Sequence, residues 1–124
     1  MSPVLVIRID RPLYFGNVGH CEEQVSRLVA LSPHARRLVL DMRAVTDVDA
    51  SGLRMLARLL DNIEERDLPV AFAALQAPLA GRLSRSDRID ACRSFATVEE
   101  AIEALEPECR DGEPEDFDRA GDWT

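Results

Sequence analysis

The sequence predicts an α/β domain built on a mostly parallel sheet, and three observations carry that prediction. Short apolar runs recur along the chain: Val4-Leu-Val-Ile-Arg-Ile9, Leu38-Val-Leu40 and Pro69-Val-Ala-Phe-Ala73. Each has strand length and lacks the alternation of a sheet wetted on one face. Between them lie segments whose apolar residues recur at helical spacing. Strands alternating with helices imply parallel pairing through right-handed crossovers. At 124 residues, 46% apolar and 31% charged, the chain suits one domain. Such a domain buries about two-thirds of its unfolded surface.

In chain order, Val4–Ile9 is the first strand, and Asp10-Arg-Pro12 is turn material because Pro12 lacks an amide donor. Leu13-Tyr-Phe15 then returns as a short antiparallel strand, giving an N-terminal hairpin. Asn17 is suited to cap the helix that follows, whose inner stripe is Val18, Cys21, Val25, Leu28 and Leu31. Ser32-Pro33 stops it. The run Leu38–Leu40 ends at Asp41, and an acidic loop with Thr46, Asp47 and Asp49 leads to Ser51-Gly52. There a second helix opens, with Leu53, Leu56, Leu60 and Ile63 inward and Arg54, Arg58, Asp61 and Glu65 outward.

Arg66-Asp67 closes that helix without a glycine, and the strand from Pro69 to Ala73 follows. Pro78 sits in the first turn of a short third helix, where a missing N–H costs little. Leu79 and Leu83 face inward there, Arg82 and Arg85 outward, and Ile89 and Phe95 pack under the next connection. Thr97-Val-Glu-Glu100 is a capping box opening a fourth helix that buries Val98, Ile102 and Leu105 and stops at Pro107. The domain is therefore drawn as residues 1–106. Residues 107–124 carry seven acidic and two basic side chains and are read as a disordered acidic tail.

Composition excludes several functions. The net charge of −8 argues against nucleic acid, since phosphate contacts need clustered basic residues. The tail accounts for −5 of it, so the body is only mildly acidic. There is no lysine, which removes P-loop and Schiff-base chemistry. Cys21, Cys92 and Cys109 are odd in number and form no C-x-x-C pair, so neither a disulfide scaffold nor a zinc site is expected. No apolar run approaches the ~18 residues of a membrane span. A soluble domain in a reducing cytoplasm is the expectation.

The chemistry worth weighing lies around Ser51. Its hydroxyl is placed at a helix start, where backbone N–H groups lack intrahelical partners and negative charge is favoured. A serine there is more often a cap than a switch. Asp41, Asp47 and Asp49 cluster at the strand ends where open α/β folds bind ligands. Asp47-Val-Asp49 resembles the haloacid dehalogenase motif, but that chemistry needs a lysine and an aspartate directly after the strand. Turn formation and capping explain the aspartates, and Asp49 is a candidate cap for the second helix. No enzyme is expected. His20 and Cys21 point about 100° apart on a helix and make a poor metal pair, and His34 is a loop residue. Arg54 and Arg58 lie one turn apart beside Ser51, fit to meet an anion or a partner's carboxylates. The plainer reading is a solvated face with an Arg58–Asp61 pair.

The residues Asp49-Ala-Ser-Gly-Leu53 after such a strand resemble the signature of STAS domains. The resemblance covers about residues 4–106. Pro12-Leu-Tyr-Phe-Gly-Asn17, Leu83-Ser-Arg-Ser86 and Phe95-Ala-Thr-Val98 are most similar to the cytoplasmic C-terminal STAS domains of SulP (sulfate permease) anion transporters. Anti-sigma-factor antagonists are the second similar group. Asp87 departs from the family, which commonly has glycine there, and this puts the third helix's C-terminal cap in doubt. The resemblance implies the STAS fold and a non-enzymatic role in protein–protein contact. The partner is a transporter membrane domain, a regulatory protein or a kinase. Ser51 is the residue the family would phosphorylate or dock through, flanked by Asp47, Asp49, Gly52 and Arg54. Nucleotide binding has been proposed for STAS domains. Nothing here resembles a glycine-rich cradle, so no cofactor is expected.

Overall fold

In a computed structural model of the chain, residues 2–14 and 16–119 are described, with side chains described as far as Cys109. Four strands, β1 (Val4–Arg8), β2 (Arg37–Asp41), β3 (Val70–Ala73) and β4 (Arg93–Phe95), pair in parallel in the order β1-β2-β3-β4. The helices among the described residues are α1 (Val18–Ala30), α2 (Ala50–Glu64), α3 (Ala77–Leu83), α4 (Asp87–Asp90) and α5 (Val98–Arg119). Because each strand is added on the same side of the last, all three crossovers lie on one face. Alternation along the strands sorts two cores. Ile7, Leu38, Leu40, Val70 and Phe72 pack with Val25, Leu56, Leu60, Leu79 and Ile89 of α1 to α4. Val4, Val39, Ala71 and Ala73 meet Ala101, Leu105 and Cys109 of α5.

This is the mostly parallel α/β architecture expected, with differences that have physical causes. The antiparallel hairpin is absent among the described residues. Leu13 makes a parallel bridge to Val48 instead, and its amide and carbonyl both bond the acidic loop rather than β1. The strand β4 and the one-turn α4 occupy what the sequence presents as connection, since Arg93-Ser-Phe95 is short and polar on two of three residues. In α1 Val29 is buried while Leu28 and the C-cap residue Leu31 are exposed. In α2 Met55 and Leu59 join Leu56, Leu60 and Ile63 in the core, whereas Leu53 is only half-buried.

Helix ends show the same mixture. Thr97 Oγ1 accepts from the Glu100 amide at 3.0 Å, which is the hydroxyl half of the expected capping box. Asp87 does not cap α3. It opens α4, whose first turn is closed by Ser86 Oγ accepting from the Ile89 amide. The left-handed residue after α2 is Asp67, at φ 62°. Pro107 does not end α5, which runs on to Arg119. Pro107 brings no N–H for the Glu103 carbonyl. Burial of Cys109 on the sheet, with Arg93 donating to Glu108 at 2.9 and 3.0 Å, holds the helix past it. Packing thus extends beyond residue 106. The side chains from 110 on, including Phe117 and Trp123, lie outside the described residues, as does the rest of the acidic tail beyond Arg119.

Ala74 follows β3 at φ 61°, with its amide donating to the Phe95 carbonyl at 3.0 Å. A left-handed non-glycine residue costs roughly 1–2 kcal/mol, while glycine's extra chain entropy costs somewhat less. Ala74→Gly is therefore expected to raise stability by up to about 1 kcal/mol. A urea midpoint unchanged or lowered relative to wild type would contradict this.

Candidate docking site

Three segments converge where α2 begins: the β1–α1 connection, the loop 42–49 and the outer face of α3. The loop is nailed down by a buried apolar residue at every third position, Met42, Val45 and Val48. Asp41, 4% exposed, starts it by accepting from the Arg43 amide at 3.1 Å and from the Arg43 guanidinium at 3.3 Å. This is a turn-forming use of the carboxylate. Leu13, fully buried, donates its amide to the Asp47 carbonyl and accepts from the Asp49 amide, both at 3.1 Å.

Gly52 is present for a steric reason. A Cβ at this position would stand 2.2 Å from the Leu13 carbonyl oxygen and 2.7 Å from Val48 Cγ2. Only glycine lets the first turn of α2 lie against that backbone.

Asp49 is the N-cap of α2. Its backbone is extended, and its carboxylate accepts from the Gly52 amide at 2.8 Å. Ser51 is then the second residue of the helix, half-buried, and does not cap it. Its hydroxyl has a long contact of 3.4 Å from the Arg54 guanidinium. The serine is thus at the first turn, as the sequence implied, with its oxygen bonded to the Arg54 side chain rather than to a cap amide.

Asp47 is a hub. One carboxylate oxygen accepts from the Val48 amide at 2.8 Å and pairs with Arg82 of α3; the other accepts from the Tyr14 hydroxyl at 3.2 Å. Desolvation and then the bond to Asp47 raise the Tyr14 phenol above its ordinary pKa, so it stays a donor. Sequence reasoning missed both partners. The only signal for them was that Arg82 points outward from α3. A cleft of about 350 Å³ lies between α2 and α3, lined by Val48, Asp49, Ala50, Leu53, Arg82 and Arg85.

The remaining candidates fall elsewhere. Arg58 does not pair with Asp61; it grips Glu22 of α1 with two bonds, 3.1 and 2.9 Å, and holds that carboxyl below its usual range. Asp61 and Glu64 go to Arg88 of α4. These cross-helix pairs win because long arginines reach a neighbouring element as easily as their own next turn. His20 and Cys21 line a separate cleft of about 270 Å³ beside β1. Desolvation raises the Cys21 and Cys92 thiols, keeping them protonated at neutral pH. His34 is exposed in the loop before β2. Among the described residues no three His, Cys, Asp or Glu side chains group closely enough to hold a metal ion.

A parallel α/β domain that offers a serine from the first turn of a helix at the strand ends is the class this fold and site define. The chain belongs to the STAS domain family, whose model matches residues 2–101. Among known proteins it is similar to Sulfate transporter 1.3 of Arabidopsis thaliana, 31% identical over 120 residues, which cover 87% of this chain and 18% of the transporter. The chain therefore spans about a fifth of the length of that relative. The fold is shared with solved structures. The murine Solute Carrier 26 family member A9 anion transporter in the inward-facing state aligns with a TM-score of 0.75 at 21% identity, covering 82% of this chain and 17% of that one. The anti-sigma factor antagonist SpoIIAA in its unphosphorylated form aligns at 0.61 and 15% identity, covering 85% and 91%.

The geometry separates three neighbouring residues by role. Gly52→Ala is expected to cost about 1–3 kcal/mol through overpacking, or to prevent folding. Asp49→Ala should cost about 1 kcal/mol through the lost cap. Ser51→Ala should stay within about 0.5 kcal/mol of wild type. Thermal and urea unfolding of the three variants checks the order. A Ser51→Ala loss as large as that of Asp49→Ala would restore the serine as a structural cap.

Proposed function

We propose that this chain is a non-catalytic regulatory domain of a SulP-type sulfate or anion transporter, working at the cytoplasmic side through protein–protein contact around Ser51. The observation that carries this reading is the sequence similarity to a sulfate transporter, confined to about a fifth of that protein's length. A match of that shape fits one module of a longer protein. No helix among the described residues is long and apolar enough to cross a membrane, so a transport path would come from elsewhere. The contact surface is the loop and helix start: Asp47, Asp49, Ser51, Gly52 and Arg54. Its backbone is over-determined by Leu13, Gly52 and the Asp49 cap, and such a rigid surface presents side chains to a partner with little ordering cost.

A second reading, a free-standing antagonist switched by phosphorylation of Ser51, is favoured by one specific observation. Asp49 rather than Ser51 caps α2, which leaves the hydroxyl free of a structural duty. Both readings use the same serine and differ in the partner.

A chimera tests the first. In Sulfate transporter 1.3 the matching region is deleted or replaced by residues 1–124, and sulfate uptake is measured in cells lacking their own transporter. Replacement is expected to restore much of the uptake that deletion removes, and Ser51→Asp to reduce the restored uptake. Uptake no better with the chimera than with the deletion counts against a transporter role.

A further inference from the structure

The acidic residues of the loop look at first like the charge a partner would read, but both are already engaged inside the domain. Asp47 holds Tyr14, Arg82 and the Val48 amide, and Asp49 holds the Gly52 amide. What faces outward beside them is basic. Arg54 lies next to Ser51, Arg82 is half-exposed, and Arg85 is exposed with no hydrogen bond or ion pair from its guanidinium to a described residue. Arg82 and Arg85 line the cleft between α2 and α3, with Val48, Ala50, the half-buried Leu53 and the cap residue Asp49 beside them. In a chain of net charge −8 this local excess of arginine does not follow from composition.

We propose that this cleft is the working half of the docking surface and takes an acidic peptide segment of a partner protein, with carboxylates on Arg82 and Arg85 and an apolar side chain on Leu53. The proposal rests on the Ser51 docking reading and names its partner chemistry. Charge complementarity chooses the occupant. Arginine pairs bidentately with carboxylates, and an apolar patch beside it suits a segment that alternates acidic and aliphatic residues. Arg82 can turn toward such a segment because Asp47 keeps its Tyr14 and Val48 bonds when it does. The arrangement also gives phosphorylation a mechanism. A phosphate on Ser51 carries about −1.5 to −2 charges and has Arg54 within reach. It adds negative charge beside the cleft and so disfavours the approach of a partner's carboxylates.

The test is a titration of the full chain followed by backbone amide NMR shifts. The probe is an acetylated, amidated Glu-Glu-Leu-Glu-Glu-Leu peptide, compared with its Gln-for-Glu counterpart and with inorganic phosphate. The acidic peptide is expected to shift amides of residues 48–54 and 79–86, with the neutral peptide at least about tenfold weaker. Arg85→Glu should weaken acidic-peptide binding by a similar factor with an unchanged melting midpoint, and Arg85→Gln by less. Ser51→Asp should weaken it in the same direction. Equal binding of the neutral peptide, or shifts centred elsewhere, overturns the proposal. Phosphate saturating the same amides as tightly as the peptide reduces the cleft to a simple anion site and overturns it too. Loss in Ser51→Asp with Arg85→Glu unaffected removes the arginine cleft and leaves the Ser51 reading standing. Loss in Arg85→Glu with Ser51→Asp unaffected keeps the cleft and removes Ser51 as its switch.

Discussion

The close approach of Gly52 to the Leu13 carbonyl is the constraint on which the site depends. A methyl group at residue 52 would sit 2.2 Å from that oxygen, so the first turn of α2 and the connection after β1 can touch only through a glycine. The same Leu13 carbonyl accepts from the Asp49 amide, and the Leu13 amide donates to Asp47. One buried residue therefore fixes the loop, the cap and the start of the helix together. Ser51 is held between Asp49 and Gly52, so its direction is inherited from a contact it does not make. The arrangement lies at the C-terminal ends of the parallel strands, where chain segments from several crossovers meet.

Charge is organised around that frame rather than scattered over it. Arg58 joins α2 to α1 through Glu22, Arg88 joins α4 to α2 through Asp61 and Glu64, and Arg82 joins α3 to the loop through Asp47. Each pair is partly exposed, and such pairs contribute little to stability individually. Their effect is on orientation, because each arginine reaches a different element from its own. Near Ser51, Asp47 is paired with Arg82 and Asp49 caps α2, while Arg54 and Arg85 stand exposed. A net charge read from composition gives no access to that local arrangement.

Much of the architecture was legible because burial imposes periods on the sequence. Leu38-Val-Leu40 and Val70-Ala-Phe-Ala73 read as buried strands since both faces of a covered parallel sheet are apolar. The capping box at Thr97 was readable for a local reason, a hydroxyl and an acid three residues apart. Failures came where a distant contact decided. Leu13 reads locally as strand, yet its partners lie more than thirty residues away at Asp47 and Asp49. Pro107 reads locally as a stop, and Cys109 packing on the sheet overrides it. The site divides in the same way. Ser51, Asp49 and Gly52 were visible as a string, whereas the Tyr14–Asp47–Arg82 hub joins three segments that no spacing rule connects.

The separation of Asp49 from Ser51 bears on how a modification could act here. A serine that capped α2 would couple any phosphate to the stability of the helix, since the cap bond would have to be remade. With Asp49 as the cap, the Gly52 amide is satisfied whatever happens at the next side chain but one. The helix start itself offsets only about half a charge, less than a phosphate brings. The remainder falls on Arg54, a surface group with no place in either core. On the proposed reading, the fold and the signal are carried by adjacent residues with separate duties. The backbone stays where Leu13 and Gly52 hold it while the potential over α2 and α3 changes.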